Sequence, residues 1–279
     1  MAAAFDIAVF EGDGIGPEIM APTLELLQRL AAQYAEFSFQ FQSLPAGATH
    51  YAASGEALPA QSMEAARAAD AILLSAMGLP SIRYPDGTEI APQLDLRQEL
   101  GLFAGLRPVV VAPGQNSPLK IPAGRSIDFL LIRESTEGLF WSLGRGEVSA
   151  DEARETLVIT RAVSEKLFAY AFRLAERRRA AGRGRGRVNC VDKANVFRAF
   201  AFFRKLFHEE AARHPDITAE AIYVDATALW MVQKPWEFDV LVTENMFGDI
   251  PSDLGAGHMS GPSAAPSAYI DKHRPALEP

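Results

Sequence analysis

The sequence has 279 residues, of which 48% are hydrophobic and 22% charged, and its formal net charge is −8. These values are ordinary for a globular protein with one large domain or two modest ones, and the acidic balance argues against general binding of nucleic acid or of anionic membrane surfaces. The single cysteine, Cys190, excludes an internal disulfide. Because no apolar stretch reaches transmembrane length and no basic signal segment opens the chain, we expect a cytoplasmic protein without a membrane partner.

In the first hundred residues, short apolar runs alternate with segments of helical periodicity. The run at 7–10 predicts a buried strand, and 17–30 predicts a helix, because Pro17 suits the first turn and apolar residues recur at helical spacing. Strands are also expected at 37–41 and 71–74, helices at 62–69 and 94–103, and a loop at 78–92.

The same alternation continues in the rest of the chain. Strands are predicted at 109–111, 129–132, 188–191, 222–224 and 240–242, and helices at 162–179 and 195–213. Alternating strands and helices predict an α/β protein in which helices cover a sheet.

Six arginines follow one another closely at the end of the long helix and beyond it: Arg177, Arg178, Arg179, Arg183, Arg185 and Arg187. Such a run could bind an anion or nucleic acid, but cations also suit the C-terminus of a helix. The acidic character of the whole chain favours the structural interpretation, so no nucleic-acid partner is expected.

A glycine-rich turn, EGDGIGPE at 11–18, joins the first strand to the first helix. Alternating glycines let a ligand approach the backbone closely, so Gly14, Ile15 and Gly16 are candidate cofactor contacts. Their spacing is not the G-x-G-x-x-G of a Rossmann dinucleotide site, and an ordinary tight turn explains it about equally well.

Three arginines form a second candidate group: Arg97 on a polar helix, Arg107 at a strand start and Arg133 at a strand end. Arginine makes two parallel hydrogen bonds with a carboxylate, so a cleft that collected all three would bind an acidic substrate. From spacing alone, three surface ion pairs are the more common outcome.

Acidic residues and a lysine complete the candidates. Asp249 and Asp253 would lie one turn apart on a helix, where a hard cation such as Mg²⁺ or Mn²⁺ would relieve their repulsion, although acids also suit the start of a helix. Lys193 and Asp225 each follow a predicted strand, at the edge where open α/β sheets bind ligands. A lysine there can act as a base.

Together these residues match the motifs of a known family in the same order along the chain. The matching segments are GDGIGPE at 12–18, LR at 96–97, LRP at 106–108, RESTEG at 133–138, DKANV at 192–196, VDA at 224–226, NMFGDI at 245–250 and SD at 252–253. The sequence resembles the β-decarboxylating dehydrogenases of isocitrate, isopropylmalate and tartrate. The resemblance implies an isopropylmalate dehydrogenase-like α/β fold of two domains, distinct from the Rossmann fold. We assign 1–104 with 258–279 to the first domain and 105–257 to the second.

The resemblance also implies how a substrate and a partner subunit would bind. Arg97, Arg107 and Arg133, with Leu94 beside them, would bind a 2-hydroxy dicarboxylic acid. Lys193 would complete the active site of a second subunit, so a homodimer with shared sites is implied.

The remaining implied roles concern metal, base and cofactor. Asp249, Asp253 and Asp225 would hold Mg²⁺ or Mn²⁺, with Asp225 supplied by the partner subunit. Lys193 and Asp225 would be catalytic, with the lysine as base. NAD would be the oxidant, with NADP not excluded, and CO₂ would leave after the oxidation.

The sequence departs from the family in three places. Phe140 stands where the family has a tyrosine that returns a proton after CO₂ leaves, so either another acid or water would do so or the decarboxylation step would be weakened. Gln93 replaces one of the two leucines that isopropylmalate enzymes carry before the first arginine, while Leu94 is retained. Residues 276–279 come just before the family's adenosine-binding loop, so we expect an incomplete first domain, an exposed apolar surface on its sheet and weak cofactor binding.

We therefore predict an NAD- and metal-dependent oxidative decarboxylase of a 2-hydroxy diacid, first of all 3-isopropylmalate. Tartrate, D-malate and isocitrate are alternative substrates. A relative that keeps the fold and binds acid or metal without turnover is a second class of function, which Phe140 and the chain end favour. RNA binding through the arginine run is a third.

Overall fold

The computed structural model describes residues 3–34, 36–261 and 265–271. Within these ranges, no helix is long and apolar enough to cross a membrane. The chain divides into two units, Met1–Leu100 and Gly101–Pro279, each with its own sheet.

The first unit contains a small parallel sheet with helices packed on it. Its strands are β1 (Ala3–Phe10), β2 (Phe37–Ser43) and β3 (Ala71–Leu74), and its helices are α1 (Gly16–Gln33), α2 (Ala48–Ser54), α3 (Ala60–Ala68) and α4 (Pro92–Glu99). The strand order is β2–β1–β3. Ala8 and Phe10 of β1 are buried against Ala66 of α3 and Leu96 of α4, which form the core of this unit.

A row of aromatic side chains lies along β1 and β2. Phe5 and Phe39 are partners in the strand register, with ring centroids 6.3 Å apart. Phe37 and Phe41 extend the row, with centroids 5.3 and 5.7 Å from that of Phe39. Phe5 is 40% exposed, and Phe37, Phe39 and Phe41 are partly buried.

The second unit is built on a larger mixed sheet. Its strands are β4 (Ala104–Val111), β5 (Ile127–Glu134), β8 (Arg187–Asp192), β9 (Thr218–Tyr223), β10 (Val240–Thr243) and β11 (Ala268–Ile270), with a separate hairpin of β6 (Glu147–Val148) and β7 (Ala153–Arg154). Its helices are α5 (Arg161–Ala180), α6 (Arg198–Ala211), α7 (Val224–Gln233) and α8 (Asn245–His258). The order of the six strands is β11–β4–β5–β10–β8–β9.

Helices cover both faces of this sheet. On one face, Phe168 of α5 and Phe203 of α6 are buried in a cluster with Ile132 of β5. On the other face, residues of α7 and α8 join the cluster that contains Phe129 and Leu131. Because successive strand residues point to opposite faces, the apolar run at 129–132 is buried on both sides.

Four strands of the sheet, β5, β10, β8 and β9, run parallel, so their carboxyl ends share one edge. Arg133 lies near the end of β5, and the chain leaves β8, β9 and β10 toward Lys193, Asp225 and Asn245. Open α/β sheets form their ligand sites at this edge. The topology therefore places Arg133, Lys193 and Asp225 at this edge of the sheet.

The predicted α/β class is confirmed, and differences are confined to element ends and short elements. The helix predicted at 94–103 ends at Glu99, and the helix predicted from 195 begins at Arg198. The strand predicted at 222–224 ends at Tyr223, where α7 begins. Elements α2, β6, β7 and β11 are additional to the prediction, because segments of two to seven residues carry too little periodicity to be recognised.

The predicted domain bounds stay a prediction, and the two compact units are divided at another point. The sequence-based division begins the second domain at 105 and returns the chain to the first at 258, whereas the observed boundary falls between Leu100 and Gly101. The segment Ala268–Ile270 pairs antiparallel with β4 and so belongs to the second unit's sheet. Residues 262–264 and 272–279, which include the predicted truncation point, lie outside the described residues.

Candidate active site

Arg133, near the end of β5, contacts three residues that come later in the chain. Its Nε donates to Oδ1 of Asn245 at 2.9 Å, and its Nη1 forms an ion pair with Asp249. Its guanidinium carbon lies 5.1 Å from the ring centroid of Phe140. Arg133 is almost fully buried, whereas the side chain of Asp249 is 47% exposed. The structure thus joins a predicted substrate arginine to a predicted metal ligand.

The start of α8 is fixed by two buried side chains. Glu244 is the N-cap residue, and its carboxylate accepts hydrogen bonds of 3.1 Å from the second and third backbone N–H groups beyond it. Burial raises the pKa of Glu244, an effect that these N–H groups and the charge of Arg133 partly offset. Asn245 donates from Nδ2 to the carbonyl oxygen of Glu137 at 2.9 Å. These contacts fix the helix that carries Asp249.

Asp249 and Asp253 lie one turn apart on α8, so their side chains are neighbours. Asp253 is exposed and Asp249 is half-exposed, so a ligand can reach the Asp253 carboxylate and the Asp249 oxygen that does not bond Arg133. Asp225 follows β9, which is two strands away from β10 and thus roughly 10 Å away at ordinary strand spacing. Within the described ranges, no three His, Cys, Asp or Glu side chains form a group able to hold a metal ion. The pair on α8 suits a hard divalent cation but needs further oxygen ligands.

Lys193, on the turn after β8, and Asp225, in the first turn of α7, form an ion pair. The side chain of Asp225 is 67% exposed and that of Lys193 is 25% exposed. The hydrogen bond from Lys193 is the main reason that the pKa of Asp225 is lowered. The two predicted catalytic residues are therefore in contact.

A second ion pair anchors the turn that carries Lys193. Asp192 is fully buried, and its carboxylate accepts from Nε and Nη2 of Arg204 at 2.7 and 2.6 Å and from the backbone N–H of Ala194 at 2.8 Å. Arg204 lies on α6, and its guanidinium carbon is 4.9 Å from the ring centroid of Tyr223. The lysine turn is thus tied to α6 and to the end of β9.

The segment after Arg133 contains a buried carboxyl group, that of Glu134. It accepts hydrogen bonds from the backbone N and Oγ1 of Thr136, both at 2.7 Å, and from the backbone N of Glu137 at 2.8 Å. Burial raises the pKa of Glu134 to about 7, although these hydrogen bonds oppose the rise. Glu137 in turn accepts from Thr160, the N-cap of α5. This segment is therefore held by carboxyl groups bound to backbone N–H groups.

In the first unit, Asp13 organises the glycine-rich turn. Its buried carboxylate accepts from the backbone N–H groups of Ala48, Thr49 and Gly78 at 2.7, 2.8 and 2.9 Å. Burial would raise the pKa of Asp13, but the hydrogen bonds prevail and the pKa lies below the ordinary aspartate value. Asp13 therefore binds the turn after β1 to the start of α2 and to the loop after β3.

The three predicted cofactor contacts follow Asp13 in the same turn. Gly14 has a φ of 57°, Ile15 is 60% exposed, and Gly16 begins α1. Gly12 has a φ of 78°, and a side chain there would collide with the carbonyl oxygen of Ala76. The turn itself thus requires glycine, and contact with a cofactor stays a prediction.

The other predicted substrate residues lie on two elements. Leu94 and Arg97 are half-buried on α4, on either side of the core residue Leu96. Arg107 is half-buried on β4 and contacts Tyr269 of β11. The convergence of Arg97 with the arginines of the second unit stays a prediction.

The arginine run at 177–187 is largely paired with acids of its own surroundings. Arg178 donates to Asp239 at 2.8 Å and to Asp128 at 3.0 Å, and Arg185 forms an ion pair with Glu237 at 2.8 Å. These contacts hold the loop between α5 and β8 against the segment just before β10, which contains Glu237 and Asp239. They favour the structural interpretation of the run.

Several residues that contact predicted site residues were not themselves predicted, among them Asp13, Asn245 and Tyr269. Asp13 could have been recognised as a carboxylate between two glycines, a residue type that binds backbone N–H groups in turns. Asn245 opens a helix two residues after a strand ends, and side-chain contacts to free backbone groups are common near a helix start. Tyr269 gives no local signal, because its partner Arg107 is 162 positions away in the chain.

Comparisons with known proteins agree with the matched motifs. Residues 6–279 match the family model described as isocitrate/isopropylmalate dehydrogenase. The chain is 40% identical to a 3-isopropylmalate dehydrogenase of Listeria innocua over 98% of this chain and 77% of that protein. It is 36% identical to a 3-isopropylmalate/3-methylmalate dehydrogenase of Methanocaldococcus jannaschii, over 98% and 76%. The crystal structure of isocitrate dehydrogenase from Methylococcus capsulatus aligns with a TM-score of 0.79 at 31% identity, over 97% of this chain and 75% of that one.

Proposed function

We propose, on the premise that this chain belongs to the isocitrate/isopropylmalate dehydrogenase family, that it oxidises and decarboxylates a 2-hydroxy dicarboxylic acid with NAD and a divalent metal ion. Family membership makes it a decarboxylating oxidoreductase. The observation that carries the finer proposal is the shared edge of β5, β10, β8 and β9, where Arg133, Asp249, Lys193 and Asp225 lie. We infer 3-isopropylmalate as the first substrate, because relatives that match over most of their length carry that name.

Arg133 and Arg107 are proposed to bind substrate carboxylates. Asn245 and Asp249 engage the Nε and Nη1 atoms of Arg133, which leaves further donors of the guanidinium for a carboxylate. The low exposure of Arg133 strengthens such a bond, because water competes less there. Arg97 and Leu94 are proposed as further substrate contacts.

Lys193 is proposed as the base that accepts the hydroxyl proton while the hydride of the same carbon passes to NAD. Lys193 forms an ion pair with Asp225 in this structure, and its amine becomes available to the substrate hydroxyl when Asp225 takes another partner. The carbon–carbon bond to the β-carboxylate then breaks, CO₂ leaves, and the neighbouring carbon gains a proton. Phe140 has no ionisable group, so that proton comes from another acid or from water.

Asp249 and Asp253 are proposed to hold Mg²⁺ or Mn²⁺. Hard carboxylate oxygens one helical turn apart fit either ion, and a third carboxylate from outside this chain would complete the set. The bound ion would supply Lewis acidity toward the hydroxyl and carbonyl oxygens of the substrate. Gly14, Ile15 and Gly16 are proposed contacts for NAD, and NADP is not distinguished.

A homodimer is proposed to supply that third carboxylate. Asp225, Leu229 and Val232 recur at helical spacing on α7, and Leu229 and Val232 are 52% and 51% exposed. Ile250 of α8, beside Asp249, is 65% exposed. A second copy that covered these apolar side chains would bring Asp225 of the partner subunit to the same interface.

The experiment that tests this function is NADH formation by the full chain with Mn²⁺ and each of four acids: 3-isopropylmalate, tartrate, D-malate and isocitrate. We expect NADH and CO₂ in equal amounts from 3-isopropylmalate, and none when EDTA removes the metal. Preference for D-malate or tartrate would support a pocket for a small or polar substituent, which the polar Gln93 before Leu94 favours. Binding of acid and metal without NADH from any of the four would support the non-catalytic alternative.

A further inference from the structure

Tyr269 lies against Arg107 at the edge of the second unit's sheet. In the antiparallel pairing of β11 with β4, Tyr269 is opposite Gly105, and Arg107 points to the same face two residues further on. The Nη2 group of Arg107 donates to the hydroxyl oxygen of Tyr269. The guanidinium carbon lies 4.8 Å from the centroid of the tyrosine ring. One tyrosine therefore contacts the arginine through both its hydroxyl and its ring.

The position of the tyrosine ring depends on the absence of a side chain at Gly105. A Cβ atom at that position would lie 3.0 Å from Cε1 of Tyr269 and 2.9 Å from Oγ of Ser135. Such distances are closer than ordinary van der Waals contact. The ring is thus packed directly on the backbone of β4, and the hydroxyl is fixed relative to Arg107.

Two contacts orient the guanidinium group of Arg107. Its Nη1 donates to the carbonyl oxygen of Leu106 at 3.0 Å, and its Nη2 donates to Tyr269. Arginine has five N–H donors in one plane, so two fixed contacts determine the direction of the others. Binding a carboxylate through two parallel bonds requires that direction to be correct.

We propose that Tyr269 is a positioning residue for substrate binding, which acts by orienting Arg107 toward one carboxylate of the 2-hydroxy diacid. This inference rests on the proposed function of the same site. Tyr269 contributes its hydroxyl contact before substrate binds, so the arginine does not have to be ordered during binding. The loss of the hydroxyl should therefore weaken diacid binding more than it slows the chemical steps.

The test compares Tyr269→Phe, which keeps the ring, with the wild type and with Tyr34→Phe, which removes a hydroxyl from an exposed tyrosine of the first unit. The dissociation constant of 3-isopropylmalate is measured by calorimetry with Mn²⁺, and KM and kcat are measured for NADH formation. We expect Tyr269→Phe to raise the dissociation constant and KM roughly tenfold with little change in kcat, as for loss of a hydrogen bond to a charged group. Tyr34→Phe should match the wild type.

A double-mutant cycle with Arg107→Lys tests whether Tyr269 acts through the arginine. In the Arg107→Lys background, the effect of Tyr269→Phe should fall to less than about twofold, because the group that it orients has gone. Equal effects in both backgrounds, or wild-type binding by Tyr269→Phe, would overturn the inference while leaving the proposed function intact. Failure of the wild type to bind or oxidise any of the four acids would overturn both.

Discussion

Asn245 and Arg133 form a buried pair, in which the arginine Nε donates to the asparagine Oδ1 at 2.9 Å. Asn245 opens α8 and Arg133 lies near the end of β5, so this hydrogen bond connects the helix that carries the proposed metal ligands to the strand that carries a proposed substrate ligand. The ion pair between Arg133 and Asp249 depends on the same alignment. The uncharged side-chain amide of Asn245 therefore fixes the relative positions of the charged groups at this edge.

Replacement of Asn245 by alanine is expected to affect both stability and substrate binding. It leaves the Nε of Arg133 and the carbonyl oxygen of Glu137 without their partner, which should lower the free energy of unfolding by about 2 kcal/mol. It should also weaken the binding of 3-isopropylmalate about tenfold, because Arg133 is no longer oriented. Urea unfolding and calorimetry measure the two effects.

Asn189→Ala is the matched control for this prediction. Asn189 is also a buried asparagine, but its amide donates to Glu220 on the neighbouring strand β9. It should lower stability without changing the affinity for the diacid. If both variants weakened diacid binding equally, the particular role of Asn245 would be contradicted.

The buried carboxyl group of Glu134 is expected to make stability depend on pH. Its pKa is raised by burial to about 7, above the ordinary glutamate value of 4.5. Its stabilising contribution is therefore fully present below about pH 4.5 and is lost as the pH rises through about 7. The loss amounts to roughly 3 kcal/mol at most.

The measurement is the free energy of unfolding from pH 5 to pH 8 for the wild type, Glu134→Gln and the exposed control Glu64→Gln. Burial lowers the pKa of His258 and so acts in the opposite direction, since protonation of this histidine opposes folding as the pH falls below about 6.5. The His258 contribution is common to the wild type and the variant, so it cancels when their free energies of unfolding are subtracted. We expect Glu134→Gln to flatten the profile and Glu64→Gln to leave it unchanged; a profile of Glu134→Gln parallel to the wild type would rule out titration of Glu134.

Asp13→Asn is expected to destabilise the glycine-rich turn. The carboxylate accepts three backbone N–H groups, and an amide would direct its own NH₂ group at one or more of them. A loss of about 2 kcal/mol in the free energy of unfolding follows. Asp6→Asn, at an exposed position of β1, is the control and should have little effect.

The same substitution should change acid unfolding. The pKa of Asp13 is lowered, so its stabilisation is present above about pH 4 and is lost as the pH falls through the folded pKa. The difference in free energy of unfolding between the wild type and Asp13→Asn should therefore become smaller below pH 3. A gap that stayed constant from pH 2 to pH 7 would contradict the hydrogen-bonded carboxylate.

The sequence predicted the sheet and its polar edge better than it predicted the contacts between side chains. Apolar runs such as 129–132 and 240–242 indicated buried strands, and residues following such strands were recognised as candidate ligands. Asn245 was overlooked because its role depends on Arg133, which is 112 positions earlier in the chain. The strand Ala268–Ile270 was overlooked because it has three residues, and its pairing with β4 places it in a different unit from the predicted one.

A shared active site predicts complementation between two inactive variants. Lys193→Ala and Asp253→Asn are each expected to lower kcat at least a hundredfold, because one removes the proposed base and the other a metal ligand. If Lys193 serves the partner's Asp253, a heterodimer of the two variants has one intact site and one doubly altered site. Co-expression with two affinity tags should give a heterodimer with about half the wild-type rate per dimer. An inactive heterodimer would show that both residues serve the same chain's site.

The central claim is that the arginines and the aspartates at this sheet edge bind one diacid and one divalent cation in direct contact with each other. The most direct measurement is a calorimetric titration of 3-isopropylmalate with and without Mn²⁺, and of Mn²⁺ with and without 3-isopropylmalate, in the wild type and in Asp249→Asn. We predict that each ligand lowers the dissociation constant of the other by the same factor of roughly ten or more. Asp249→Asn should abolish this coupling. Independent binding of the two ligands by the wild type would contradict the account.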